Sequence, residues 1–208
     1  MAQGHGPVFN IGERVEAYSN FLYVLILAAA ARLGFDLPTF SRWFCILATV
    51  ATFFVIATAG RELGVRAAST FLDSALSVSA LWLFALNGPA AMWGVGGLET
   101  PLAALLTLLA LLSCARETAA PARRFPWSAL WLAWAAMCRP EGVMLFGVCL
   151  IAKVLWRVAR RRGAPDEAPE SWPHIALWAA AFAALFGAYT AWRVAYFGDW
   201  MPNTFHAK

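Results

Sequence analysis

The sequence predicts an all-α polytopic membrane protein with about six transmembrane helices and one helix lying in the membrane interface. Three observations predict it. First, 61% of the 208 residues are hydrophobic and only 13% are charged, whereas a soluble domain carries about 25% charged residues. Second, mean hydropathy is +0.62, and the apolar residues gather into runs near the ~20 residues that a helix needs to cross a bilayer. Third, eleven tryptophans are present, and this residue favours the membrane–water interface. The net charge of +4 comes without any basic patch interleaved with aromatics outside the flanks of the runs. The expected partner is therefore the lipid bilayer, and nucleic acid is excluded. Cys45, Cys114, Cys138 and Cys149 all lie in or at the edge of apolar runs. They show no CxxC or Cys/His spacing, so they read as small buried hydrophobes, and neither a metal site nor a cofactor is expected.

Residues 1–19 are polar and rich in turn formers and read as an extramembrane loop. They lack the basic start and apolar centre of a secretory signal, and a chain that opens in a loop reads as part of a longer protein. Residues 20–34 are apolar but too short to span. Asn20 is placed to cap this helix and Gly34 to end it, with Arg32 snorkelling to water. Membrane segments are expected at 41–60, 67–87, 99–115, 127–138, 142–156 and 173–197, followed by a loop over 198–208. Asp73 falls inside the second of these, near its start. Residues 88–98 (GPAAMWGVGGL) are glycine-rich, with no ordinary helix cap expected and a re-entrant bend permitted. Glu99 and Pro101 suit a helix start.

Charge sets the orientation. Lys and Arg collect on the cytoplasmic side of membrane proteins. Placing Arg61, Arg66, Arg116, Arg123, Arg124 and the Arg157–Arg162 cluster inside requires an even number of crossings between residues 124 and 157. Residues 127–156 then form a hairpin whose tip, Arg139-Pro140-Glu141-Gly142, points outward. Three mixed polar islands share that outer face: Gly97–Pro101, the hairpin tip, and the stretch after Trp192.

Those islands supply Arg139, Arg193 and Lys208 as cations and Glu99, Glu141 and Asp199 as acids. Tyr196, Asn203, Thr204 and His206 add hydrogen-bonding groups. Arginine holds phosphate in a bidentate way, and a nearby carboxylate can take a proton from a hydroxyl. The set suits group transfer from a lipid-phosphate-linked sugar. Two readings of Arg139 stand side by side: it pairs with Glu99 and fixes the hairpin, or it forms a cationic pocket with Arg193 and Lys208, with Asn203 and His206 toward the sugar.

The segments GHGPVFNIGERVEAYSN (4–20), GLETPL (97–102), RPEG (139–142) and WRVAYFGDWMPNTFHAK (192–208) resemble one family of membrane glycosyltransferases of GT-C architecture. That family includes the mycobacterial terminal arabinofuranosyltransferase and bacterial proteins labelled flagellar motor control proteins. The resemblance implies a polyprenyl-phosphate sugar donor, a cell-envelope glycan acceptor, a periplasmic active site on the bacterial inner membrane, and inverting transfer. Glu99, Arg139, Glu141, Arg193, Asn203, His206 and Lys208 on the polar islands are the expected donor- and acceptor-binding residues. The catalytic acidic pair is expected just before the position of Gly4, ahead of Met1, and a periplasmic domain after Lys208. Ile11 and Phe21 stand where the family often has proline. The alternative from a different class is a non-enzymatic transporter or a scaffold of envelope or flagellar assembly.

Overall fold

A computed structural model describes residues 6–8, 12, 14–62, 71–119, 125–160 and 171–200. Among the described residues all regular structure is helical: α1 (Phe21–Arg32), α2 (Leu37–Glu62), α3 (Phe71–Ala85), α4 (Gly88–Val95), α5 (Thr100–Ala119), α6 (Trp127–Cys138), α7 (Glu141–Arg160) and α8 (Trp172–Phe197). Four of these, α2, α5, α7 and α8, are long and apolar enough to cross a membrane, and α3 with α4 makes a fifth if the pair counts as one span. That pair bends by 62° at the break. The shorter apolar helices are α1 and α6. A chain built this way is an all-helical membrane protein. Its outward-facing Trp43, Phe54, Leu83, Met144 and Ile151 would be costly in water and are at no cost in lipid.

The helix ends follow local chemistry. α1 stops where the Gly34 N–H donates to the Ala31 carbonyl and the Phe35 N–H to the Ala30 carbonyl, the paired closure of a Schellman motif. Its start differs from expectation: Asn20 is the N-cap residue but makes no side-chain cap bond, because its amide is used elsewhere. The glycine-rich stretch also differs. Asn87 Oδ1 accepts from the Ala90 N–H at 3.0 Å, Pro89 fills the first turn, and residues 88–95 become α4. An ordinary cap exists, supplied by the residue just ahead of the glycines. α5 and α7 run past the expected 115 and 156 to Ala119 and Arg160, through charged residues such as Glu117, which Ser128 binds, and Arg157, which lies over the Trp172 ring.

At the centre α5 and α6 pack most extensively, with α2 against α5 and α8 against α6. Ala110, Ala129, Leu132, Ala133, Trp178 and Phe182 form one buried cluster. Phe146 stacks on Phe182 with ring centroids 3.8 Å apart. A second cluster joins Tyr23 to Leu102, Leu106 and Cys138, seating α1 on α5 and α6. All four cysteines are free, and three are buried.

α6 and α7 meet at a turn that allows no side chain at residue 142. A Cβ there would lie 2.6 Å from the Ala136 Cα and closer still to its nitrogen. Only glycine fits, so the hairpin closes tightly at Arg139-Pro140-Glu141-Gly142.

Candidate functional site

The starts of α5 and α7 and the end of α6 lie together at one end of the bundle. Glu99 immediately precedes α5 and is held there by its loop. Gly97 has φ +71°, and a Cβ on it would sit 2.9 Å from Ser41 Oγ. The Tyr23 hydroxyl donates to the Gly97 carbonyl at 2.9 Å, and Cys45 Sγ donates to the Leu98 carbonyl at 3.0 Å. Thus α1 and α2 together fix the loop that presents Glu99. Its carboxylate turns sideways rather than capping α5: Oε2 accepts from Asn20 Nδ2 at 3.1 Å, and Oε1 lies 3.4 Å from Arg139 Nε. Arg139 has left the helical conformation, at φ −149° and ψ 137°. Its side chain remains 45% exposed, against 15% for Glu99.

Beside this pair runs a groove of about 580 Å³ between α5 and α7. Its mouth carries Arg139, Glu141 and Thr100, and its walls are Ala103, Ala104, Thr107, Met144, Leu145 and Val148. Both α5 and α7 start at that mouth. Each helix N-terminus carries about half a positive charge, so the two add to the Arg139 guanidinium, while Glu141 and the paired Glu99 offset it. The geometry suits an amphiphile with an anionic head and an apolar tail.

Arg193 stands apart from the groove. It is 7% exposed, its Nη1 donates to Glu16 Oε2 at 3.0 Å, and its Nη2 donates to the Trp200 carbonyl. Burial of Glu16 pushes its carboxyl above the usual carboxylate range despite the neighbouring Arg193, and Asp199 adds to the rise. Tyr18, next to this pair, is likewise pushed up, mainly by burial. Phe21 stacks on Tyr189 at 4.6 Å and meets Trp192 at 5.1 Å, and Tyr18 meets Phe197 edge-on, so the start of α1 and the residue two before its cap are clasped to the end of α8. Of the expected site residues, Glu99, Arg139 and Glu141 come together, Arg193 is occupied by Glu16, and Asn203, His206 and Lys208 lie outside the described residues. The side chain of Asp73 also lies outside them.

The opposite end of the bundle holds a second polar cluster. Glu117 accepts from the Ser128 N–H at 2.9 Å and from the Ser128 hydroxyl. Trp178 Nε1 donates to Ser128 Oγ at 2.6 Å. Lys153 Nζ lies 3.7 Å from Glu117 Oε2 and 5.3 Å from the centre of the Trp178 ring. Lys153, expected merely at a span end, is 2% exposed, as is Glu117. Twelve residues of α6 rise only about 18 Å, against about 30 Å of hydrocarbon. The polar clusters at its two ends therefore cannot both reach a membrane surface, and the enclosed one has to be internally paired. Among the described residues no group of His, Cys, Asp and Glu is arranged to hold a metal ion.

Helices of this length and apolarity, with a charged groove mouth at one end of the bundle, define a helical membrane protein. Comparison with family models, curated proteins and solved structures finds no match.

Proposed function

We propose that the chain is the core of a membrane glycosyltransferase of GT-C type. In this reading it has six crossings, α6 among them, and transfers a sugar from a polyprenyl-phosphate donor to a cell-envelope acceptor at the periplasmic face of the bacterial inner membrane. The observation that carries this reading is the groove between α5 and α7, with small and apolar walls and a half-exposed Arg139 at its mouth. The isoprenoid chain lies along Ala103, Ala104, Met144 and Val148. The phosphate sits at Arg139 and the two helix starts.

In the reaction an acceptor oxygen bonds to the anomeric carbon while the bond from that carbon to the phosphate oxygen breaks. The phosphate leaves with one more negative charge than it had. Arg139 and the N-termini of α5 and α7 favour that charge where it develops. The resemblance puts the carboxylates that take the acceptor's proton ahead of Gly4. The transporter reading draws on the buried Glu117–Lys153 pair, since intramembrane charges often mark ion paths. However, the apolar cluster of Ala110, Leu132, Ala133 and Trp178 lies between the two polar ends, which favours chemistry at one end.

The test is binding of farnesyl phosphate, a short polyprenyl phosphate, to the purified protein in nanodiscs. Affinity should fall by about tenfold or more in Arg139→Gln, the loss of one charge-assisted contact, while binding of the uncharged farnesol stays as it was. Equal affinity for the phosphate and the alcohol would refute the assignment of Arg139.

A further inference from the structure

We propose that Glu16 and Arg193 are positioning residues for Arg139, acting through Asn20 and Glu99. The inference rests on the assignment of Arg139 to a lipid phosphate. It gives Arg193 a role other than direct contact with that phosphate.

The chain of contacts is continuous. Arg193, near the end of α8, holds Glu16 at 3.0 Å across 177 residues of sequence. Both side chains are more than nine-tenths buried, and a buried arginine leaving its carboxylate would strand a charge. Glu16 and Asn20 are separated by at most about 14 Å of chain. Between them Tyr18 packs on Phe21 and Phe197, so this short stretch cannot drift from α8 without breaking ring contacts. Asn20 then donates to one oxygen of Glu99, and the other oxygen faces Arg139.

Glu99 has two oxygens and two claimants. With Asn20 in place, one oxygen is occupied and the carboxylate plane is set, so Arg139 is met from a fixed direction. Without Asn20 the carboxylate is free to turn both oxygens to the guanidinium. A bidentate pair of that kind closes the fork that a phosphate needs. The Glu16–Arg193 pair thus keeps Arg139 half-engaged and available.

The experiment compares wild type with Glu16→Leu, Asn20→Ala and the double variant in nanodiscs, with farnesyl phosphate and farnesol as probes. Each single variant should weaken farnesyl phosphate by about three- to tenfold and leave farnesol unchanged, with the double no weaker than either single. Asn20→Ala removes the link without touching the buried pair, so it should keep near-normal melting even where Glu16→Leu folds poorly. Glu16→Gln, which retains an acceptor for Arg193, should recover most of the affinity. Losses that multiply in the double variant, or unchanged affinity in Asn20→Ala, would overturn the proposal while Arg139→Gln still upholds the phosphate site.

Should wild type bind no farnesyl phosphate, the glycosyltransferase reading fails, and hydrogen exchange decides the positioning separately. Glu16→Leu should then speed exchange of the Tyr23, Val24 and Ala103 amides, bonded to the Asn20 and Glu99 carbonyls, without changing the inner half of α7. Unchanged exchange at those amides would overturn it.

Discussion

Replacing Lys153 by methionine should destabilise the bundle severely, and replacing Glu117 at the same time should restore it. Glu117 and Lys153 are each 2% exposed, so neither charge has water to fall back on. Taking away Lys153 leaves a carboxylate held, among the described residues, by the Ser128 N–H and hydroxyl. Breaking a buried pair from one side costs about 3–5 kcal/mol. The two surviving bonds from Ser128 put this site toward the lower figure, about 3 kcal/mol. For a chain of this size that corresponds to a drop of roughly 6–12 °C in melting temperature. Methionine fills most of the volume of the lysine stem and retains contact with the Trp178 ring, so the loss reports the charge more than a cavity. In Glu117→Gln/Lys153→Met the stranded charge is gone, and apolar replacement of a buried pair is often neutral. The double variant should melt within about 3 °C of wild type. Thermal melts of all four proteins in one detergent give the coupling directly. A Lys153→Met protein that melts like wild type, or a double variant as unstable as the sum of its parts, would refute the reasoning.

Four further outcomes follow from the geometry. Gly142→Ala forces a Cβ into the backbone of Ala135 and Ala136 and should cost about 3 kcal/mol or more in folded yield and melting. Gly147→Ala, which meets nothing within 4 Å, should be neutral or stabilising by up to about 1 kcal/mol and serves as its control. Asn87→Ala should cost about 1 kcal/mol through loss of the α4 cap, read as faster exchange of the Ala90 amide. Burial holds the folded Glu16 carboxyl above its unfolded value near 4.5, so the folded state binds the extra proton. The stability Glu16 contributes is complete below about pH 4.5 and is lost as pH rises through the elevated value, and melts of Glu16→Gln against wild type across that window should show this slope flattened.

Much of the fold was legible because its boundaries are punctuated. Pro126 and Arg139-Pro140 bracket α6, and the expected 127–138 coincides with Trp127–Cys138. The tight RPEG turn was legible from the same residues. The meeting of Glu99 with Arg139 followed from the hairpin, since both lie at ends of neighbouring apolar runs. The pairings that tie distant segments were not legible. Nothing local marks Glu16 as the partner of Arg193, and by sequence Arg193 falls with the exposed cations because it opens the stretch that turns polar toward Lys208. Glu117 follows Arg116 at the frayed end of an apolar run, where hydropathy reads solvent. Only the shortness of α6 and the packing of α7 and α8 enclose it. Asn87 is not legible as a cap, because the glycines after it dominate the local pattern.

The proposed polyprenyl phosphate site is the groove between α5 and α7. Photo-crosslinking with a polyprenyl phosphate carrying a diazirine on its isoprenoid chain, followed by peptide mapping, tests this most directly. Adducts should fall on residues 103–107 of α5 and 144–148 of α7, the groove walls, and should diminish in Arg139→Gln. Labelling spread evenly over the lipid-facing helices, or concentrated on α2 and the lipid face of α8 and insensitive to Arg139, would contradict it.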